Sequence, residues 1–412
     1  MSEVRVEADS NVPTWWQAEF PLLGTSTPLF RGFELIQRQG AHDIAVIPFE
    51  GEVANFSQSY ATGAPVRLTW GNRYGQGEFV GYVHHTQQRL QTRHPVSEII
   101  CIGAGYPLLE VRQRAFEGVT ADQTVSTLAR AQGLGATVDN HLRTYPILMQ
   151  DTISDWALLS RLAGETGYVL RVEGTTVQFV TRDHAEAYYR PRAQVYYQAS
   201  DQNSLLPSQS TLFNFTPIVG DYFPETGATN TAKTVTRIDP TTGETLLLSR
   251  APTGGAAARA FFTSPQAVGA HTALEAEAAL EAAVQKSKYV YRAKASLQGS
   301  AVTAPERFVY LRGVQEPYGG YWTVLSVRHK VEGRFKYFCE VELGTDGLYG
   351  EVPLPTDALS SEMRGAVIVS DSSVPLDLAP AGNVLSTKND VVGRVGTPLQ
   401  AARWTSTVVS YA

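Results

Sequence analysis

Little in this chain is chemically reactive. Its 412 residues include two cysteines, three methionines and eight histidines. Cys101 and Cys339 are too few for a disulfide framework or a cysteine metal cluster. Each sits in an apolar, strand-like run. One disulfide or two buried free thiols would fit, and thiols made in a reducing cytoplasm are the favoured reading. No apolar run reaches the roughly 18 residues of a membrane span. The first ten residues carry Glu3, Glu7 and Asp9 and no signal-peptide core, so export by that route is not expected. Lysine is scarce: seven of the 34 basic residues, the other 27 being arginine. Arginine is enriched at protein interfaces and lysine depleted, although a GC-rich genome gives the same bias. The net charge of −6 creates no basic field that would draw the chain to nucleic acid or anionic lipid. It would suit a wall past which DNA slides without sticking.

Catalytic and metal-binding patterns are equally sparse. The histidines (His42, His84, His85, His94, His141, His184, His271 and His329) form no His-x-x-x-His pair and no Cys-x-x-Cys accompanies them. They read as surface or turn residues. His84 and His85 are neighbours on a predicted strand, where adjacent rings face opposite sides and cannot readily share a metal. There is no Gly-x-Ser-x-Gly elbow and no Walker loop. Gly103-Ala-Gly105 lacks the third glycine of a dinucleotide fingerprint and reads as a turn after a strand. Glu165 and Asp183 could be imagined as a glycosidase pair, but that chemistry depends on a separation the sequence does not fix. Solvated helix and loop ends are the simpler reading. Trp156 lies on an apolar helical stripe and reads as core. No basic cluster interleaved with aromatics suggests base stacking. No catalytic, cofactor-binding or metal residue is therefore assigned, no cofactor is expected, and the chain is not read as an enzyme.

What is present is a β-rich α+β pattern. Phe33–Ile36, Ile44–Ile47, Val66–Trp70, Glu78–Val83 and Ile99–Ile102 are short, β-branched or aromatic runs, the signature of a sandwich or barrel. Before them, residues 1–30 form an arm in which Trp15 and Trp16 stand out without a clear period. Packing on its own domain is favoured over docking on a neighbour. An insert at 119–194 reads helix, link, helix, hairpin. Thr120 with Gln123 has capping-box spacing, and Val125, Leu128 and Ala129 share a face closed by Gly133. A second helix opens at Ser154 and Asp155, buries Trp156, Leu159 and Ala163, and stops at Gly164 and Gly167. Tyr168–Val172 and Thr176–Val180, joined by Glu173-Gly174-Thr175, are predicted as half-buried strands. Residues 181–235 read as irregular, with Leu205, Leu206, Leu212, Phe213 and Phe215 returning to the first strand set at about 195–233. A second set occupies 234–345. It opens with a hairpin through Asp239-Pro240 and Gly243, continues with a helix at 272–288, and ends with four strands. Residues 346–412 are rich in Pro, Ser and Val, with no hexapeptide repeat.

The run from Asp151 to Gly174, in its order between two strand sets, resembles the small α/β insert of tail baseplate hub proteins. That family includes the phage late-control D proteins and the hub part of type VI secretion spike proteins. The helix leading into Tyr289-x-Tyr291-x-Ala293, and Gly319-Gly-Tyr-Trp-Thr-Val-Leu-Ser-Val-Arg-His329, are similar to the hub's second barrel. The resemblance covers about residues 31–345. It implies two tail-tube-like β-barrels, the first over 31–118 and the second over 234–345. It implies a homotrimer that adapts a hexameric tail tube to a trimeric spike around a central channel, in a virion baseplate assembled in the host cytoplasm. Expected partners are the tube or a tube-initiator protein, a spike carried on a separate chain, and baseplate wedge and tape-measure proteins. Sequence-specific nucleic-acid binding is not expected. A tail-associated cell-wall hydrolase and a glycan-binding tail module are the competing readings. The first helix also resembles that of peptidoglycan-binding LysM modules, taken here as shared helix chemistry.

Overall fold

The computed structural model describes residues 14–20, 29–30, 32–50, 61–72, 75–89, 96–198, 210–218, 232–238, 245–250, 263–267, 280, 282, 285, 288–289, 291–332, 336–348, 350 and 406–408. The earlier strand set is β1 (Trp15–Glu19), β2 (Leu29–Phe30), β3 (Gly32–Arg38), β4 (Ile44–Glu50), β5 (Pro65–Asn72), β6 (Gly75–Arg89) and β7 (Val96–Gly103). The insert holds β8 (Val111–Thr120), α1 (Ala121–Ala131), β9 (Gly135–Val138), β10 (Thr144–Ser154), α2 (Asp155–Thr166), β11 (Val169–Glu173), β12 (Thr176–Val180) and α3 (Arg182–Tyr189). The later strands are β13 (Gln194–Tyr197), β14 (Leu212–Ile218), β15 (Ala232–Ile238), β16 (Thr245–Arg250), β17 (Thr263–Ala267), β18 (Tyr291–Gln298), β19 (Phe308–Arg312), β20 (Gly320–Glu332), β21 (Lys336–Thr345) and β22 (Ser406–Val408).

Both strand sets contribute to one 14-stranded sheet, except β15, β16 and β17 of the later set, which form a three-stranded sheet of their own in the order β16-β15-β17. The path of the 14-stranded sheet runs β14-β18-β21-β20-β3-β4-β7-β6-β5-β1-β22, with β2, β13 and β19 attached beside it. The path does not close among the described residues. The sets meet where β3 pairs antiparallel with β20, Leu35 facing His329 and Phe33 facing Val331. Alternation along the strands aims one face inward, as a period of two requires: Leu35, Ile47, Val66, Leu68 and Trp70 from the earlier set, Val324, Val327, Val341 and Leu343 from the later one. These residues share a single core, so the sheet curls until its two halves face each other. At that meeting Trp70 donates its indole N–H to the Tyr337 hydroxyl at 3.0 Å, and Asn72 donates to the Gly299 carbonyl at 2.9 Å.

Three expectations need correction here. The N-terminal stretch has a period after all: Trp16, Ala18 and Phe20 are buried while Trp15 is exposed, and β1 pairs with β5. β14 pairs with β18, in the later set, rather than returning to the earlier one. Residues 181–189 are not irregular but form α3, capped by Thr181, whose hydroxyl accepts from the His184 amide. The expected β15–β16 hairpin forms, with Val235 opposite Leu248, and its turn at 239–244 lies outside the described residues. So does most of the helix expected at 272–288, of which Leu280, Ala282 and Gln285 are described as helical. Ser406–Val408 pair with β1 of the same chain; the rest of 351–412 lies outside the description.

The insert is built around α1, α2 and the sheet β11-β12-β9. α1 has the capping box at Thr120 and Gln123, each bonding the other's backbone N–H. α2 is capped by Ser154 and closes on Gly167, at φ +75°, with Gly164 inside it. A Cβ on Gly167 would also lie 2.8 Å from the Cα of Ala282, so two constraints demand glycine there. Val125 and Leu128 of α1, and Leu158, Leu159 and Leu162 of α2, pack on Leu170, Val172, Val177 and Phe179 of the hairpin. Tyr82 and Leu108 complete this second core from outside the insert.

Candidate assembly surfaces

The residues singled out for chemistry are kept apart. Glu165 accepts from the Tyr145 hydroxyl at 3.0 Å and sits near Arg143 and Arg161. Asp183, in the first turn of α3, lies 3.9 Å from the Lys288 ammonium. Nothing described joins the two carboxylates. They border different features, Asp183 an open depression of about 550 Å³ shared with Glu186, Arg190 and Tyr321. Trp156 is buried and stacks on His42, ring centres 4.1 Å apart. The Gly103–Gly105 turn does follow a strand. Both cysteines are free and buried, and burial pushes the Cys339 thiol up to about 12. Among the described residues no group of three or more His, Cys, Asp or Glu side chains could hold a metal.

The histidines depart most from the sequence reading. His329 is fully buried in the sheet core, its Nδ1 3.0 Å from the Tyr337 hydroxyl and 3.3 Å from Cys339 Sγ. Burial, with help from nearby Arg171, lowers its pKa to about 3. His42, wedged against Trp156, is lowered to about 4 by burial. His329 is therefore no surface or turn histidine, whereas His42 does lie in the β3–β4 connection, with its ring turned inward. His84 and His85 do not point to opposite sides either. A bulge between Val83 and His85 breaks the alternation, both side chains are exposed, and their rings meet edge-on at 4.9 Å. His141 and His184 lie on the insert, the latter 2.8 Å from Asp139. His94 and His271 lie outside the described residues.

The hairpin β11–β12 was expected to be half-buried, but both faces are covered. Its second face carries Val169, Arg171, Gln178 and Val180, and α3 and the 300–307 segment lie over it. This makes a charged seam between insert and sheet. Arg171 donates to the Pro305 carbonyl at 3.0 Å. Arg307 reaches Glu173 at 2.8 Å, and Gln178 donates to the other Glu173 oxygen at 2.8 Å. Burial alone would raise Glu173, but Arg307 and Arg171 outweigh it and hold the carboxyl below its ordinary value. Nearby, Asp43 accepts from Gln37 at 2.6 Å, and burial pushes it up to about 6 against the pull of Arg171. Glu306, at φ +67° and 3.9 Å from Arg182, is also raised by burial.

The opposite situation holds on the ribbon formed by β8 and β10. Its inner face packs on α2: Leu148 and Gln150 are buried, Arg114 pairs with buried Asp155, and Gln150 donates to the same carboxylate at 2.9 Å. Its outer face places Ile147 beside Glu117 and Met149 beside Ala115, with Val111 at one end. Ile147 is 64% exposed, Val111 58% and Met149 51%. Of the seven exposed large hydrophobics described, five lie on this ribbon or within two residues of it, Leu109 and Leu142 being the others. Sequence reasoning passed over β10 as a link, because Pro146 and a bulge after Gln150 interrupt its pattern.

No family model matches the chain, and no curated protein matches it in sequence. Solved structures do match in fold. A tail protein from Neisseria meningitidis superposes with a TM-score of 0.57 at 9% identity, over 82% of this chain and 98% of that one. The 43 kDa tail protein of prophage MuSo2 from Shewanella oneidensis gives 0.54 at 11% identity, over 81% and 98%. An E. coli component of the type VI secretion system, described as structurally similar to the bacteriophage T4 tail proteins gp27 and gp5, gives 0.51 at 11% identity, over 82% and 80%. The chain thus shares the fold of these tail proteins.

Proposed function

We propose that this protein is a structural, non-catalytic baseplate hub of a phage tail or a related injection machine. The observation that carries the reading is the fold shared with phage and type VI tail proteins across about four fifths of the chain. In this reading the earlier and later strand sets act as two tube-like modules. Three copies present six such modules around one axis, so that a hexameric tube seats on one side and a trimeric spike, on a separate chain, on the other. Closed rings are the ordinary outcome of repeated heterologous contacts. Wedge and tape-measure proteins would be further neighbours, and the location is the virion tail baseplate. Residues 346–412 would strengthen assembly rather than folding, so their deletion should weaken the complex and leave a folded chain.

The competing readings gain no support from the described residues. A hydrolase needs two carboxylates at catalytic spacing, yet Glu165 and Asp183 are tied to separate partners. A glycan platform needs a groove of stacked tryptophans, and among the described residues Trp16, Trp70, Trp156 and Trp322 are core, which leaves Trp15 as a single exposed ring. Light scattering on the purified chain, alone and with tube and spike proteins from the same source, tests the proposal. A trimer mass and co-assembly are expected. A strictly monomeric chain that ignores both partners overturns it.

A further inference from the structure

We infer that the outer edge of β8 is an acceptor for an extended segment of another protein, apolar along one face and basic beside Glu117. The inference identifies a partner surface within the proposed assembly role. Its test does not depend on that role. Three observations converge on it.

The first is an asymmetry of edges. Every second residue of a paired strand turns its N–H and C=O away from its partner. On β10 that outward edge is obstructed. Arg161 of α2 donates to the Met149 carbonyl at 2.9 Å, and the bulge between Gln150 and Ile153 carries Thr152 at φ +54°. Bulges of this kind blunt an edge against further pairing. On β8 no strand other than β10 pairs among the described residues, which leaves a template within its ten residues that runs extended over Val111–Glu117, before Gly118 at φ +61° turns the backbone.

The second is chemistry. The outer face next to that edge presents Val111, Ile147 and Met149 to solvent, with Glu117 and Asp151 as its charges. The ribbon's arginines are engaged elsewhere, Arg114 with Asp155 and Arg112 with Glu110. A strand added to β8 would therefore extend an apolar surface and meet negative charge. That favours valine- or leucine-like side chains at alternate positions on the outer face, with lysine or arginine at the outer-face position that meets Glu117.

The third is area. Ten residues at about 3.4 Å each, across two strands, give a face of roughly 340 Å². A stable globular interface needs about 800 Å² per partner. The ribbon is too small to hold a second copy of the chain by itself. It is large enough for one strand whose parent protein is anchored elsewhere, and a patch of this size on a monomer is often functional.

The test is amide hydrogen exchange on the full chain with a seven-residue probe that carries valine at two alternate positions, lysine at the next alternate position and threonine between them, and a second with glutamate in place of the lysine. The lysine probe should slow exchange across Val111–Thr120 by roughly threefold or more, and the glutamate probe should not. Ala115→Lys, which puts a charge on the exposed face, should abolish the effect without changing exchange in α1 or α2. Equal protection by both probes, or none by either, overturns the inference. Protection that grows with protein concentration alone, with a dimer mass by light scattering, overturns it by assigning the edge to a second copy. Peptide protection in a chain that never joins a tail would sustain this inference while refuting the hub reading.

Discussion

The two faces of the β11–β12 hairpin are built on opposite principles. Leu170, Val172, Val177 and Phe179 meet α1 and α2 in a wholly apolar core. Arg171 and Glu173 meet the 300–307 segment through a hydrogen bond and an ion pair, and Gln178 holds Glu173 in place. An apolar face tolerates repacking and supplies most of the stability. A buried ion pair contributes little net stability, because desolvation offsets its attraction, but it penalises any misaligned docking. The insert is therefore held together by one kind of interaction and oriented on the sheet by another.

That contrast can be broken most severely from the apolar side. Phe179→Ala should cost about 3–5 kcal/mol, read as a lower denaturation midpoint, since the fully buried ring leaves a cavity. Next comes the seam. Glu173→Gln should cost about 3 kcal/mol by stranding Arg307, while joint replacement of Glu173 and Arg307 by glutamine and methionine should recover much of the loss. If the double variant is as unstable as the sum of the singles, the seam contributes stability directly and the distinction fails.

A third experiment uses pH. Unfolded histidine titrates at 6.5, whereas His42 and His329 do so at about 4 and about 3 in the fold. Below pH 6.5 the unfolded chain binds protons that these folded rings refuse, so their contribution falls with pH. Asp43 acts the other way between pH 6 and 4, because its folded carboxyl is protonated while the unfolded one, at 3.8, is not. From these three groups stability should fall by ~1.4 kcal/mol per pH unit in that window, and Asp43→Asn should steepen the slope to ~2.7. An unchanged slope would mean that Asp43 is not protonated in the fold. The smallest effect is expected at the α1 cap: Thr120→Ala should cost about 1 kcal/mol and leave the seam untouched.

Much of the insert was legible because its signals are local. Caps at Thr120 and Ser154, the stop at Gly167 and the turn at Gly174 each depend on a few neighbouring residues. What was not legible depends on partners far along the chain. The second face of β11–β12 reads as exposed until α3 and Arg307 cover it. A lone histidine carries no sign of whether distant strands will enclose it, as they do His329. The bulge that turns His84 and His85 to one side is invisible to a strict period of two. The ribbon misled in the reverse sense: Ile147 and Met149 have core composition, and only the structure places them outside. The single shared sheet was missed for a related reason. Strand composition in either set is the same whether each set closes on itself or pairs with the other through β3 and β20.

That β3–β20 pairing also sets a timetable. Glu34 faces Lys330 in the ladder, so the two strands leave the ribosome nearly three hundred residues apart. At about 5–20 residues per second, β3 waits roughly 15–60 s for the strand that completes it. During that interval Phe33 and Leu35 lack half of their native surroundings, and β3 has a bare edge that a nascent neighbour could seize. Slow, late closure of this kind favours synthesis under chaperone guard.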